Sequence, residues 1–264
     1  MRLILKLKAI NQSIESSYNR KFQSFLYNIL KNTEFSYIHD IKKYKHNMKN
    51  IKIPPFCFSN LFPYGDMNIG QIKNIIVSSP DKHLISVLNN EINKIQSPIH
   101  LGHSVFMIDD CKTFNVKIKR FNFSTATPII IRIPQYVYES HEIIPKHPYR
   151  YIFWKKEYPL EIFINQLEMN LEKKYFNYYN VKPSTNLFKS STLIFKKQVS
   201  HQIWVNGSIQ TLIGTLWDFW LDDLDLSINM TNSNKDDLFK LLQFTIEAGL
   251  GERNSLGYGF VNPL

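Results

Sequence analysis

Two stretches of this 264-residue chain carry residue types that could do chemistry together, one near each end. Near the C-terminus runs GLGERNSLGYGFV, Gly249 to Val261, which packs four of the chain's nine glycines into eleven residues. Glycine permits positive φ and lets another backbone approach with no Cβ in the way. Gly249, Gly251, Gly257 and Gly259 therefore suit a loop that presents backbone N–H groups, while Arg253, Asn254 and Ser255 add side-chain donors. Such donors fit the oxygens of a phosphate backbone. The string is not a Walker loop, because no Gly-Lys-Ser/Thr follows. Nor is it a dinucleotide fingerprint, because the amphipathic helix precedes the glycines instead of following them. A helix C-cap and a tight turn would account for one or two of the glycines but not for four.

The N-terminal stretch supplies charge. The formal net charge is +10, and residues 1–60 hold eleven Lys or Arg against Glu15, Glu34 and Asp40, so +8 of the total lies there. A basic end attracts polyanions and speeds encounter with them; a solvated lysine-rich surface has the same composition. Lys42, Lys43, Lys45, Lys49 and Lys52, interleaved with Tyr44 and His46, suit contact with an RNA backbone.

No metal site is expected. His83, His100, His103, His141, His147 and His201 form no ligand spacing, and Asp218, Asp222, Asp223 and Asp225 run linearly, as a solvated connection does. Trp204, Trp217 and Trp220 are expected in the core. Cys57 and Cys111, isolated and in apolar surroundings, are expected to be buried free thiols in a reducing cytosol. MRLILKLKAI is too short an apolar run for a signal peptide, and no stretch reaches the ~18 apolar residues of a membrane span. A cytoplasmic protein without membrane contact is expected.

The elements that must position these residues repeat once. Leu3, Leu5 and Leu7 alternate as a strand; Phe22, Phe25, Leu26, Ile29 and Leu30 mark a helix face. Strands around Ile53–Ser59 and Gln71–Val77 follow, then a helix capped by Ser79-Pro80 and carrying Leu84, Val87, Leu88 and Ile92, then strands at His103–Ile108 and Phe114–Ile118. The second half offers a strand at Ala126–Ile133 and a helix from Pro159. A hairpin of Thr192–Lys197 and His201–Trp217 turns near Val199. A helix capped by Ser233-x-x-Asp236 and a strand at Tyr258–Val261 close the half. Both halves read β-α-β-β-α-β, so the fold class is α+β, two tandem ferredoxin-like, RRM-related domains. The domains are expected at 1–122 and 123–264, packed without a Gly/Pro/Ser-rich linker.

GLGERNSLGYGFV strongly resembles the terminal glycine-rich motif of the CRISPR-associated pre-crRNA-processing endoribonucleases of the repeat-associated (RAMP) superfamily. YNRKFQSFLYNIL at Tyr18–Leu30 looks like that family's first helix, and YIHDIKK at Tyr37–Lys43 and FCFSNL at Phe56–Leu61 are similar to the segments after it. The resemblance implies a metal-independent endoribonuclease that needs no cofactor, recognises CRISPR repeat RNA and cleaves pre-crRNA into crRNA units with 5′-OH and 2′,3′-cyclic phosphate ends. It places the catalytic histidine on His39, the tyrosine on Tyr27 and the lysine on Lys52. Read alone, His39 is better taken as a surface histidine paired with Asp40, and Tyr27 looks the same as a packed tyrosine. The segment after His39 is longer than the family's and lacks its glycine, which leaves Lys49 a rival to Lys52 and His46 a substitute for His39. The alternative reading is a non-catalytic RNA-binding RAMP subunit of a CRISPR effector complex. Effector-complex subunits and a second copy of the chain, as a homodimer, are the further partner candidates.

Overall fold

The computed structural model describes residues 1–12, 18–38, 55–189, 191–205, 208–221 and 232–264. Two compact units emerge. The first comprises Met1–Val116 with Ser255–Gly257, and the second Lys117–Asn254 with Tyr258–Leu264.

In the first unit, β1 (Arg2–Ala9) buries Leu3, Leu5 and Leu7 completely, as strict alternation dictates. It lies between β3 (Ile72–Ser78) and β5 (Ser104–Phe114), antiparallel to both, with β2 (Cys57–Phe58) and β4 (Ile99–Leu101) at the edges. Helix α1 (Tyr18–Leu30) buries Phe22, Leu26 and Leu30, and α2 (Lys82–Asn93) buries Leu84, Ile85, Leu88 and Ile92. Both faces join one core with β1. The order β2-β3-β1-β5 with two helices is the ferredoxin-like topology. Three expectations are corrected. The α2 cap is Asp81, whose Oδ1 accepts from the N–H groups of His83 and Leu84; Ser79 instead donates to Pro55 O. The two strands expected between His103 and Ile118 are one, because the residues from Ser104 to Phe114 follow β4 and β1 as a single strand with a bulge at Asp109. Of the strand expected around Ile53–Ser59, only Cys57–Phe58 pairs, while 53–54 lie outside the described residues.

The second unit repeats the plan with β6 (Asn122–Thr125), β9 (Ser191–Val205), β10 (Ser208–Leu221) and β11 (Val261–Pro263) in the order β11-β6-β10-β9. Between β6 and β9 come β7 (Arg132–Pro134), the short α3 (Gln135–Ser140), β8 (Tyr151–Phe153) and α4 (Leu160–Tyr179). Helix α5 (Asn232–Ala248) precedes the glycine-rich segment. Phe163 of α4 stacks on Trp217 of β10 at 4.7 Å, and Phe123 stacks on Phe219 at 4.6 Å. Aromatic rings on alternate positions of β10 thus fill this core.

The first strand of this unit sits earlier than expected, at Asn122–Thr125. The apolar run Ile129–Ile131 is buried through isolated bridges to Thr215 and Glu252 instead, and the chain then departs into a separate two-stranded ribbon of β7 and β8. Val199 lies within β9 opposite Gly214, since the ladder continues to Val205 and Ser208. Ser233 falls inside α5, not at its cap, and β11 begins only at Val261. Trp217 is buried, but Trp220, expected in the core, is 40% exposed on the other face of β10. Cys57 and Cys111 are buried and unbridged. Among the described residues no helix is long and apolar enough to cross a membrane.

Candidate functional site

In the second unit, Gly249 follows α5 at φ +79 and closes the helix by donating to Thr245 O at 2.9 Å, the left-handed stop that favours glycine. The segment then folds on its own unit. Leu250 N donates to Gly259 O (2.8 Å), Glu252 N to Ile130 O (2.9 Å) and Gly259 N to Pro128 O (2.9 Å). Asn254 Nδ2 donates to the carbonyls of Leu250 and Tyr258 at 2.8 and 2.9 Å. Lys174, reaching from α4, places its ammonium on Gly249 O (2.6 Å), Gly251 O (2.9 Å) and Asn254 Oδ1 (2.9 Å). Three acceptors converge on one cation, so the loop is held as a rigid turn. The backbone that approaches these glycines is the chain's own. A Cβ on Gly251 would lie 2.6 Å from Ile130 O, and one on Gly259 would meet the carbonyl of Leu250.

In the first unit, Asn19, Gln23 and Tyr27 recur at i, i+4 and i+8 on α1 and so share one stripe beside its apolar face. They meet Ser255 and Leu256. Asn19 Nδ2 donates to Leu256 O at 3.3 Å, and Gln23 Nε2 to Ser255 Oγ at 3.0 Å and Tyr27 Oη at 3.2 Å. The Tyr27 hydroxyl is hydrogen-bonded to Ser255 as well, and its ring packs edge-on to Phe56 at 6.1 Å. Burial pushes the Tyr27 phenol above its ordinary value, against the opposing pull of Ser255 and Gln23. A phenol shifted upward is neutral at pH 7 and can donate a proton or a hydrogen bond. Gly257, at φ +83, seats against Phe58, whose Cε2 would be 2.5 Å from a Cβ there.

Of the residues singled out in the sequence, the structure brings Tyr27 together with Ser255, arranges Gly249, Gly251 and Asn254 around the Lys174 ammonium, and ties Gly259 to Leu250 and Pro128. Arg253 is held at φ +59, a left-handed conformation rare for a side-chain-bearing residue. His39, Lys42, Lys43, Lys45, His46, Lys49 and Lys52 lie outside the described residues. Among the described residues no group of three or more His, Cys, Asp or Glu converges on a metal-sized site. Asn19, Gln23, Phe58 and Lys174 were not foreseen. The polar stripe at four-residue spacing on α1 was the available signal for the first two. Lys174 carries none, because its partners are 75 to 80 positions away.

Tandem ferredoxin-like units with a glycine-rich turn before the last strand are the architecture of the RAMP proteins. Residues 111–263 match the family model described as CRISPR associated protein Cas6, C-terminal. Over 271 residues and the whole of both chains, this one is 29% identical to CRISPR-associated endoribonuclease Cas6 2 of Methanocaldococcus jannaschii. It is 22% identical to CRISPR-associated endoribonuclease Cas6 of Haloferax mediterranei, covering 99% of this chain and 93% of that one. A solved structure described as CRISPR associated protein Cas6 superposes with a TM-score of 0.68 at 20% identity, over 100% of this chain and 99% of the other. The chain belongs to the Cas6 family.

Proposed function

We propose that this protein is a CRISPR-associated endoribonuclease that recognises CRISPR repeat RNA and cuts pre-crRNA into crRNA units without a metal ion. RNA carries its own nucleophile. The 2′-oxygen bonds to the neighbouring phosphorus as the P–O5′ bond breaks, one proton leaves the 2′-OH, another reaches O5′, and a 2′,3′-cyclic phosphate and a 5′-OH result. The protein has to move those protons and steady the charge on the phosphorus-centred transition state.

The observation that carries the reading is the meeting of the Tyr27 hydroxyl with Ser255 of the glycine-rich motif. Because burial keeps that phenol neutral, Tyr27 serves as hydrogen-bond or proton donor toward O5′ or the phosphate, not as base. The base falls to His39, histidine being the side chain suited to proton transfer near neutral pH, and charge stabilisation to Lys52. Both assignments rest on the resemblance of YIHDIKK and FCFSNL to the family's segments. Arg253, with the lysines between 42 and 52, supplies cations for the repeat's phosphates.

The test is to incubate the purified protein with its host's repeat RNA in EDTA. Cleavage should proceed, and the downstream product should accept phosphate from a polynucleotide kinase, which requires a 5′-OH. Strict dependence on Mg²⁺ or Mn²⁺ would sink the mechanism. Tight binding with no cleavage under any condition would make the chain a non-catalytic RNA-binding subunit of an effector complex.

A further inference from the structure

The ribbon of β7 and β8 interrupts the ferredoxin-like plan of the second unit, and none of the catalytic candidates lies on it. Arg132 pairs with Phe153, Ile133 with Ile152 and Pro134 with Tyr151. Strand alternation sorts these side chains by face. Ile133 is fully buried, whereas Tyr151 and Phe153, two residues apart, share the outer face with Arg132. Tyr151 is 36% exposed, and its ring packs edge-on to Phe153 at 5.8 Å with the Arg132 guanidinium over one face at 4.7 Å. Tyr149, two residues before Tyr151, is 50% exposed, with its carbonyl tied by the Tyr138 hydroxyl at 2.6 Å and His147 edge-on to its ring at 6.0 Å.

The surroundings are cationic. Residues 143–156 contain Lys146, Arg150, Lys155 and Lys156 and no Asp or Glu. Lys146 and Arg150 are exposed, and among the described residues neither makes an ion pair. The ribbon is also fastened to the glycine-rich motif, because Glu252 forms a salt bridge with Arg132 and accepts from its backbone N–H at 3.3 Å. Exposed rings therefore lie here with several cations close by in sequence. This matches what single-stranded nucleic acid requires: π-faces for the bases and cations for the intervening phosphates.

We infer that the outer face of this ribbon, Tyr151 and Phe153 beside Arg132, together with the exposed Tyr149 and Arg150 that lead into β8, is a base-stacking platform for single-stranded nucleotides of the bound RNA. This extends the endoribonuclease reading, and rests on it for the identity of the RNA. The platform stacks any base, because every base has a π-face; Arg150 contacts phosphate and Tyr149 and Tyr151 hold successive bases.

Fluorescence anisotropy of labelled repeat RNA with the full-length protein tests it. Tyr149→Ala and Tyr151→Ala should each weaken binding about tenfold, as loss of one base stack does, and Tyr151→Phe should bind like the parent. Arg150→Gln should weaken binding and reduce the salt slope by about one. A 2-aminopurine placed along the repeat should be quenched at one or more positions by the parent and released in Tyr151→Ala. Unchanged affinity and quenching in both alanine variants, with parental cleavage intact, would overturn the platform and leave the endoribonuclease reading standing. If the parent ignores repeat RNA, that reading falls, and the same variants against a 12-nucleotide oligoadenylate decide the platform alone. An alanine variant that loses its circular dichroism is set aside for Tyr151→Phe against Arg150→Gln, where equal binding overturns the proposal. A change of oligomeric state with RNA affinity unaltered would mark a protein interface and also overturn it.

Discussion

Gln23 and Ser255 stand 232 positions apart in sequence and 3.0 Å apart in space, and the Tyr27 hydroxyl is hydrogen-bonded to both. The first helix and the terminal motif thereby share one hydrogen-bonded group. Tyr27 is the one catalytic candidate among the described residues.

Tyr27→Phe removes the hydroxyl and keeps the ring against Phe56. Single-turnover cleavage should slow about 10²-fold or more, the usual worth of a positioned proton donor, with repeat affinity within a few-fold of the parent. Because burial raises the Tyr27 pKa above 10, a donor role keeps the protonated form through moderately alkaline pH. The rate should therefore decline on its account only above pH 10. A limb between pH 8 and 9 that persists in Tyr27→Phe would assign the donor elsewhere.

His39→Ala should lose about 10²- to 10⁴-fold in rate while binding the repeat nearly as before. A repeat carrying 2′-deoxyribose immediately 5′ of the scissile phosphate should bind and remain intact, since its nucleophile is gone. Normal cleavage by His39→Ala together with a dead His46→Ala would move the base into the longer segment that follows.

Lys174→Met leaves three acceptors of the glycine-rich segment without their cation. Stability should fall by about 1–3 kcal/mol, the cost of unpaired polar groups that burial partly shields. Amide exchange should quicken at residues 249–254, and RNA affinity should drop although Lys174 touches no RNA in this reading. An unchanged exchange pattern would show that the ammonium is not what holds the turn.

Glycines at positive φ should not be equally intolerant of alanine. Gly65, at φ +99, has open space for a Cβ, so Gly65→Ala should cost only the backbone strain of about 1 kcal/mol. Gly257→Ala adds a collision with the fully buried Phe58 ring, and Gly259→Ala one with the backbone of Leu250, which has less freedom to move. Denaturant unfolding should rank the losses Gly65, Gly257, Gly259 in rising order. Equal losses would mean that strain alone matters.

Burial, helped by the charge of Asp110, pushes the Cys111 thiol up to about 12, and Cys57 is fully buried. The reactive thiolate is therefore scarce at neutral pH. A disulfide reagent should titrate no thiol in the native protein at pH 8 and two per chain in denaturant. Reaction of the native protein at either position would contradict the burial described.

The sequence by itself determined the tandem β-α-β-β-α-β order, the apolar face of the first helix and the glycine-rich motif, because each depends on near neighbours. Alternating leucines make β1, four-residue apolar spacing makes α1, and glycine density marks the turn. The tertiary structure alone decided what those glycines are for. They admit the carbonyls of Ile130 and Leu250 and the ring of Phe58, approaches that come from up to about 200 residues away and leave no local trace. It likewise decided that Ile129–Ile131 would be buried outside the ladder of β6, since an apolar run fits a strand and a bridged core segment equally well. Lys174 shows the limit most plainly. In sequence it is one of two adjacent lysines on an amphipathic helix, and only the fold aims its ammonium at three acceptors while Lys173 stays in solvent.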